Sequence, residues 1–319
     1  MSISLPPTTR NFRGYGTTPP AVRWPGRARL AVSIVVNIEE GAELSLAMGD
    51  ERNEPIHEVV DHIEKVPDLC MESHFDYGTR AGWPRIRAAL KRYGVRATMN
   101  CCARAIAYSP WLAQEATADG HEISSHGWRW ERQAHMSETQ ERSVIAKAVA
   151  VLGEAAGTPP VGWHTRSATS TNTRRLLVEH GGFLYDSNAY DDDVPYTVEV
   201  HGRPHVVLPY AFDTNDMRFF NSYAFVQGDD FARYCIAAFD RLYEEGRTAP
   251  RMMSVGLHLR IMGRPGRIAG LEAFLAHVAS RSDVWFARRD EIAHAWRAGI
   301  GLPAWQPTPP LSAFPLPSI

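Results

Sequence analysis

The sequence lacks the segments that carry proteins into or across membranes. No apolar run approaches the roughly 18 residues of a membrane span, and the start of the chain has no basic segment followed by an apolar stretch. Cysteine is also scarce: four occur, none in CxxC spacing, and the adjacent pair Cys101 and Cys102 suits a reduced strand better than a disulfide framework. We therefore predict a cytoplasmic protein with no membrane partner.

Neither sign of charge is in excess. Lys and Arg number 34 against 36 Asp and Glu, a balance that gives no long-range field to attract nucleic acid or an anionic membrane. The sequence also lacks a P-loop and the GxGxxG, HExxH and GxSxG motifs, so an ATPase, a Rossmann dehydrogenase, a zincin and an α/β-hydrolase have no motif support. The expected partner is a small or neutral molecule.

The chain does contain a regular alternation of strand-like and helix-like segments. Its 319 residues are 44% hydrophobic and 22% charged, which suffices for a large core. Strands are predicted at 30–36, 95–99, 121–125, 161–163, 183–185, 205–208, 253–257 and 284–287, and helices over Trp83 to Gly94, from the Ser137–Gln140 capping box to Gly157, and after Asn172, Gly228 and Gly266. This alternation predicts an α/β fold with a parallel sheet, closed as a barrel or left open.

Composition divides the chain into three parts. Residues 1–29 are rich in Pro, Gly and Arg and read as an extended arm. Residues 30–298 carry the alternating pattern and form a single predicted domain, and residues 299–319 are a Pro-rich tail.

Polar residues stand where several predicted strands end. They are Glu39, Glu40, His126, Asp186 and His258. Since the C-terminal ends of parallel strands open on one face of such a fold, and that face carries the active site, the pattern favours an enzyme.

Each of these candidates also has a structural reading. The adjacent carboxylates Glu39 and Glu40 are costly in a closed pocket unless one is protonated, paired or metal-bound, and one could act as a general base. They could equally form a solvated turn at Gly41. His126 and His258 could face a pocket or be packed core residues.

Two further polar regions leave alternatives open. The arginines after His258, at positions 260, 264 and 267, could recognise carbonyl or carboxylate oxygens or lie on a solvated surface. The loops at 190–193 and 213–218 could be calcium-like carboxylate loops, but they lack EF-hand spacing and favour turn chemistry.

Taken in order, these motifs resemble the polysaccharide deacetylase superfamily (carbohydrate esterase family 4, the NodB-homology domain). The resemblance implies a distorted (β/α)7-type barrel. In metal-dependent members an Asp-Asp pair and two histidines form the site; here Glu39 and Glu40 take the Asp positions, His126 the first His position, and Trp130 stands where the second metal-binding His is expected. His258 matches the late Leu-x-His motif, whose His is the general acid.

Trp130, in place of the second metal-binding histidine, removes one expected metal ligand. A catalytic zinc site normally has three protein ligands and a water, and Glu40 with His126 offers two. His135 or His164 would have to complete such a site. We therefore expect no metal cofactor, with zinc as the alternative.

A narrower resemblance points to the metal-independent allantoinase branch, whose members open the hydantoin ring of allantoin in purine catabolism and form homotetramers. It rests on Tyr15-Gly16, Trp24-Pro25-Gly26, Asn37-Ile38-Glu39-Glu40-Gly41, Ser125-His126-Gly127, the 213–218 loop and the motif at 256–267. A departure occurs at 163–167, where those enzymes carry Tyr in place of His164 and a glycine before the arginine. Because this strand end would line the pocket, the substrate stays open.

The resulting hypothesis needs no metal. Glu39 or Glu40 removes a proton from a water that attacks a cyclic amide carbonyl, and His258 protonates the departing nitrogen. Arginine side chains, Arg166 or Arg260, or backbone donors would hold the oxyanion and the ureide oxygens. The predicted substrate-binding residues are His126, Trp130, His164, Arg166, Asn215 and Arg260.

Three alternatives remain at this stage. One is a metal-dependent N-deacetylase of an acetylated sugar or peptidoglycan, and another is a cyclic imide hydrolase, which needs much the same residues. The third is a catalytically dead barrel that binds a carbohydrate or ureide.

Overall fold

The strands were located in a computed structural model, which describes residues 10–56, 58–59, 61–220 and 225–315. Within these residues the strands are β1 Leu30–Ile38, β2 Thr98–Cys101, β3 Glu122–Ser125, β4 Gly162–Trp163, β5 Tyr185–Asp186, β6 Tyr196–Val200, β7 Arg203–Val207, β8 Arg251–His258 and β9 Val284–Phe286. The helices are α1 Leu69–Tyr77, α2 Trp83–Arg92, α3 Ala103–Tyr108, α4 Pro110–Ala118, α5 Glu138–Ala156, α6 Thr173–His180, α7 Gly228–Glu245, α8 Leu259–Met262, α9 Pro265–Ala279 and α10 Arg289–Gly299.

Seven strands form a continuous parallel sheet in the order β7-β5-β4-β3-β2-β1-β8. Every residue of β1 is buried, as its β-branched sequence predicts for a strand covered on both faces. Strand β9 pairs with the first residues of β1. Among the described residues no strand ladder joins β7 to β8, so the curled sheet has a seam. This architecture agrees with the predicted distorted (β/α)7-type barrel.

The strand β6 was not predicted. It pairs antiparallel with β7 through a two-residue turn at His201 and Gly202, whose φ angles are 52° and 68°. Such a hairpin turn needs positive φ at both central residues and usually carries Asn or Asp before the glycine. Because His201 takes that place, the usual sequence signal is missing.

For two strands the predicted first residue lies before the observed one. The N–H of Val95 donates to the carbonyl of Leu90, so the turn that ends α2 continues into the expected strand and β2 starts at Thr98. Strand β5 contains only Tyr185 and Asp186.

The described parts of the arm and the tail pack on the barrel. Trp24 is buried, donates from Nε1 to the carbonyl of Arg251 (2.8 Å) and lies beside the rings of Trp285 and Trp296. In the tail, the N–H of Thr308 donates to the carbonyl of Gly181 beyond α6. The outer parts of the predicted arm and tail, residues 1–9 and 316–319, lie outside the described residues.

Arg289, the first residue of α10, crosses the barrel interior toward the seam. Its guanidinium is fully buried and donates to Oγ of Ser187 and Ser254, and to the carbonyls of Leu208 and Pro209. These partners follow β5, lie in β8 and follow β7, so one side chain connects both sides of the seam.

Candidate active site

A cavity of about 420 Å³ opens among the C-terminal ends of the strands. A volume of this size suits a small ligand. Seven of the nine predicted catalytic and substrate-binding residues line it: Glu39, His126, Trp130, His164, Arg166, Asn215 and His258. The other lining residues are Asn37, Arg132, Ser167, Tyr190, Tyr210, Phe212 and Met217.

Glu39 is the carboxylate that faces this cavity. Its side chain is fully buried, and Oε2 lies 2.8 Å from Nη1 of Arg260. Oε1 lies 3.5 Å from Nε2 of His126 and 3.4 Å from Nε2 of His258. Burial alone would raise the pKa of Glu39, but the charges of His258 and Arg260 and the two histidine side chains beside Oε1 hold that pKa well below the usual range. Glu39 is therefore an anion at neutral pH.

His258 is the last residue of β8. It faces Glu39, which directly follows the neighbouring strand β1. Asp216 accepts from Nδ1 of His258 at 2.6 Å and from its backbone N–H at 2.7 Å. Burial would lower the pKa of the imidazole, but the charges of Glu39 and Asp216 raise it to about 9. His258 therefore carries its proton at neutral pH, so a carboxylate and an imidazolium ion lie side by side.

Glu40 lies behind the cavity instead of lining it. Its Oε2 accepts from the N–H of Glu39 at 3.0 Å, and its Oε1 accepts from the N–H of Arg260 at 3.3 Å. Burial raises its pKa, although Arg260 opposes this. Of the two carboxylates predicted as catalytic, Glu39 faces the cavity, whereas the Glu40 side chain accepts from the backbone of its neighbours.

Arg260 also differs from its predicted role as a cavity contact. It is 4% exposed, and its guanidinium lies between the rings of Phe75 and Trp130, at 4.4 and 5.4 Å from their centroids. Its charge is paired with Glu39 at 2.8 Å and with Glu40 at 3.5 Å. Arg260 therefore neutralises the carboxylates that the sequence places side by side.

The two cavity histidines have defined orientations. Nδ1 of His126 lies 2.6 Å from the carbonyl of His164 and must donate to it, so Nε2 is the ring nitrogen that faces Glu39. The rings of His126 and His164 stack at 5.2 Å. Nδ1 of His164 donates to the carbonyl of Ser187, and burial lowers the pKa of His164 well below its usual value.

Arg166 lines the cavity, and its guanidinium already contacts Trp130 and Glu54. It donates from Nη1 to the carbonyl of Trp130 at 2.8 Å, lies 3.2 Å from a carboxylate oxygen of Glu54, and covers the ring of Trp130. The next residue, Ser167, has a φ of 45°, a strained conformation of the kind found at functional sites.

Two expectations at strand ends are corrected. Asp186 does not line the cavity; it is buried against Arg174 at 2.7 Å and His205 at 3.0 Å. The 213–218 loop is more than turn chemistry, because Asp216 from this loop holds His258. Asp216, Asn37 and Tyr210 were not predicted as separate site residues, since their positions depend on which strand ends meet.

The donor set does not fit a divalent metal ion. Glu40, a ligand of the alternative zinc site, does not face His126, and His135 is exposed outside the cavity. The cation Arg260 already pairs with Glu39, and no group of three or more His, Cys, Asp or Glu side chains in the described part of the chain could hold a metal ion.

No helix among the described residues is both long and apolar enough to cross a membrane.

Comparison with known sequences gives a consistent family. The polysaccharide deacetylase family model matches residues 64–184. A Schizosaccharomyces pombe protein assigned to the polysaccharide deacetylases is 35% identical over 312 residues, which cover 91% of this chain and 97% of that protein. A peptidoglycan deacetylase of Helicobacter pylori is 26% identical over 250 residues, covering 68% of this chain and 84% of that protein.

Solved structures agree over most of the chain. The PuuE allantoinase is 44% identical with a TM-score of 0.88, covering 92% of this chain and 98% of that one. A Pseudomonas aeruginosa protein described as a probable polysaccharide deacetylase is 45% identical with a TM-score of 0.87, covering 91% and 98%. These structures confirm the predicted distorted (β/α)7-type barrel of the polysaccharide deacetylase superfamily.

Proposed function

The chain belongs to the polysaccharide deacetylase family, and we propose that this hydrolase opens the ring of a cyclic amide, allantoin or a related hydantoin, without a metal. The observation that carries the proposal is the buried pair of Glu39 and His258, in which the base is ionised and the acid is protonated at neutral pH. Opposed pKa shifts in two neighbouring groups are the mark of an acid–base pair.

Glu39 is proposed as the general base. Among the described residues its Oε1 has no hydrogen-bond partner, and Glu39 lines the cavity, so a water bound there would donate a hydrogen bond to this oxygen. Transfer of one proton to Glu39 lets the water oxygen attack the ring carbonyl carbon. Arg260 and Glu40 keep the carboxylate of Glu39 in place.

His258 is proposed as the general acid. When the carbon–nitrogen bond of the ring breaks, Nε2 of His258 gives its proton to the departing nitrogen, and the new carboxylic acid ionises. Asp216 holds the imidazole by Nδ1 and leaves Nε2 directed toward the cavity. The neutral imidazole is then recharged by the proton that Glu39 has taken.

Ring opening is favoured over N-deacetylation by the chemistry of the donor set. The metal-dependent reaction needs a third ligand where Trp130 stands, and Trp130 instead packs against two guanidinium groups. The 44% identical allantoinase supports a hydantoin ring as the substrate.

The test is the rate of allantoin hydrolysis by purified protein, with and without prolonged chelator treatment. We expect turnover that survives chelation. Glu39→Gln should lower kcat about 10²-fold or more, since it removes the base. Glu51→Gln, a change at an exposed carboxylate, is the matched control and should keep the wild-type rate.

Two results would contradict the proposal. Activity lost on chelation and restored by zinc would establish a metal site with a further ligand. Absence of allantoin turnover, together with release of acetate from an acetylated chitooligosaccharide, would establish a deacetylase. Hydrolysis of a cyclic imide in preference to a hydantoin would keep the chemistry and change the substrate.

A further inference from the structure

The floor of the cavity is a network of three amides around one phenol. Asn37 and Asn215 each place Nδ2 near the hydroxyl oxygen of Tyr210, at 3.3 and 3.4 Å. Asn100 supports Asn37 from behind, with its Nδ2 3.4 Å from Oδ1 of Asn37. All four side chains are buried or nearly so.

The orientation of both amides is set by partners other than Tyr210. Nδ2 of Asn37 donates to the carbonyl of Leu257 at 3.1 Å, so it cannot be exchanged with Oδ1. Oδ1 of Asn215 accepts from the N–H of Met217 at 2.9 Å, which turns its Nδ2 toward Tyr210. Each amide therefore presents an N–H, and not an oxygen, to the phenol.

The Tyr210 oxygen consequently acts as an acceptor on both sides. A tyrosine hydroxyl has one proton to donate and can accept through its lone pairs. With both amides donating to it, neither can receive that proton. Tyr210 lines the cavity, and burial raises its pKa above the usual value, so the proton is present and the cavity is where an acceptor must lie.

The backbone is adapted to this arrangement. Gly256 in β8 lies against the phenol oxygen and Nδ2 of Asn215, and a Cβ there would overlap both atoms.

The two arginines predicted as oxyanion donors already have partners. The guanidinium of Arg260 is paired with carboxylates. The guanidinium of Arg166 is bonded to Glu54 and to the carbonyl of Trp130.

We infer that the Tyr210 hydroxyl donates a hydrogen bond to the carbonyl oxygen that is attacked during ring opening. The inference rests on the proposed function. As the water adds to the carbon, the carbonyl oxygen gains negative charge, and the phenol stabilises that charge without giving up its proton. A donor held in place by two amides costs no reorganisation during the reaction, which is why such donors stabilise oxyanions strongly.

Tyr210→Phe tests this role with allantoin as substrate. We expect kcat to fall by about 10²- to 10³-fold, as for loss of an oxyanion-hole donor, with KM changed by no more than about threefold. Tyr243→Phe, which removes a phenol bonded to Asp283 away from the cavity, is the matched control and should retain wild-type kinetics.

A second measurement separates this role from a loss of folded protein. The rate ratio between a hydantoin and its analogue with sulfur in place of the attacked carbonyl oxygen is taken within each preparation. Sulfur accepts hydrogen bonds weakly, so wild-type enzyme should prefer the oxygen substrate, and Tyr210→Phe should reduce that preference about tenfold or more. A misfolded fraction does not alter this ratio.

Three outcomes would overturn the inference. They are an unchanged oxygen-to-sulfur ratio, a wild-type kcat in Tyr210→Phe, and a rise in KM alone, which would mean ground-state binding. Absence of ring opening by the wild-type enzyme would instead overturn the proposed function, and the inference with it.

Discussion

At the scale of single residues, the site depends on how two cations and two anions share a buried space. Glu39 lies between the charges of Arg260 and His258, and His258 lies between the charges of Glu39 and Asp216. Each charge lowers the cost of burying the next, because an ionised group in a poorly solvated site requires a partner. The same pairing keeps base and acid in their working protonation states.

The pH dependence of kcat/KM follows from these states. The proposed mechanism requires ionised Glu39, so activity should rise with pH through a pKa that lies well below the usual glutamate range. Activity also requires protonated His258, so it should fall as pH rises through about 9. A pH–rate profile of the free enzyme, measured by allantoin consumption, should therefore show a broad plateau with its alkaline limb near pH 9.

Asp216→Asn is the control for this profile. The change removes a negative charge that raises the pKa of His258, so the alkaline limb should move to lower pH. The acid limb belongs to Glu39 and should stay below the usual glutamate range. An alkaline limb that remains near pH 9 in the variant would exclude the Asp216–His258 pair as its source.

At the scale of elements, the sequence predicted most boundaries that are marked by local capping residues. The capping box of Ser137 and Gln140 begins α5, and Gly157 with φ of 79° ends it, as predicted. The signals failed where geometry comes from tertiary contacts. The π-helical turn Gly78–Gly82 between α1 and α2 has no distinctive local pattern, because it is defined by what packs against it.

That π-helical turn packs against the segment that carries Arg260. A Cβ at Gly82 would overlap the carbonyl oxygen of Leu259, the residue before Arg260, and a Cβ at Gly78 would overlap the carboxylate of Glu40. Gly82→Ala should therefore displace α8 and with it Arg260. We expect the free energy of unfolding to fall by about 1–3 kcal/mol and kcat for allantoin to fall at least tenfold.

Gly266→Ala provides the matched comparison. Gly266 lies in α9, has no positive φ, and a Cβ there would meet no atom within 4 Å. Alanine is the better helix former, so stability should be equal or slightly higher and kcat unchanged. Equal kinetics and equal urea midpoints for the two variants would show that the contact between Gly82 and Leu259 does not position Arg260.

At the scale of the whole molecule, the sequence could predict which residues gather at the strand ends but not how they share contacts. Seven of nine predicted site residues line the cavity, because the order of strand ends in a parallel sheet is a general rule. Glu39 and Glu40 are the same type of residue, and they differ in contacts that the sequence does not reveal, such as the packing of Glu40 against Gly78. The homotetramer and the cytoplasmic location stay predictions.

The seam of the sheet gives the last prediction. Since no ladder in the described residues joins β7 to β8, the buried guanidinium of Arg289 supplies hydrogen bonds to groups on both sides. Arg289→Met keeps the length of the side chain but leaves carbonyl and hydroxyl acceptors unsatisfied in the interior. Each such loss costs about 1–3 kcal/mol, so urea denaturation should show a destabilisation of at least about 3 kcal/mol.

The size of this effect decides what holds the barrel together. Arg247→Met, a change in an exposed pair with Glu244, should stay within about 0.5 kcal/mol of wild type. Replacing a buried charge by an apolar side chain is neutral in some proteins because desolvation is also removed. If Arg289→Met were as stable as Arg247→Met, packing alone would hold the seam. A large loss, with kcat reduced because Tyr210 follows the carbonyls that Arg289 holds, would mean that one arginine links barrel stability to the cavity floor.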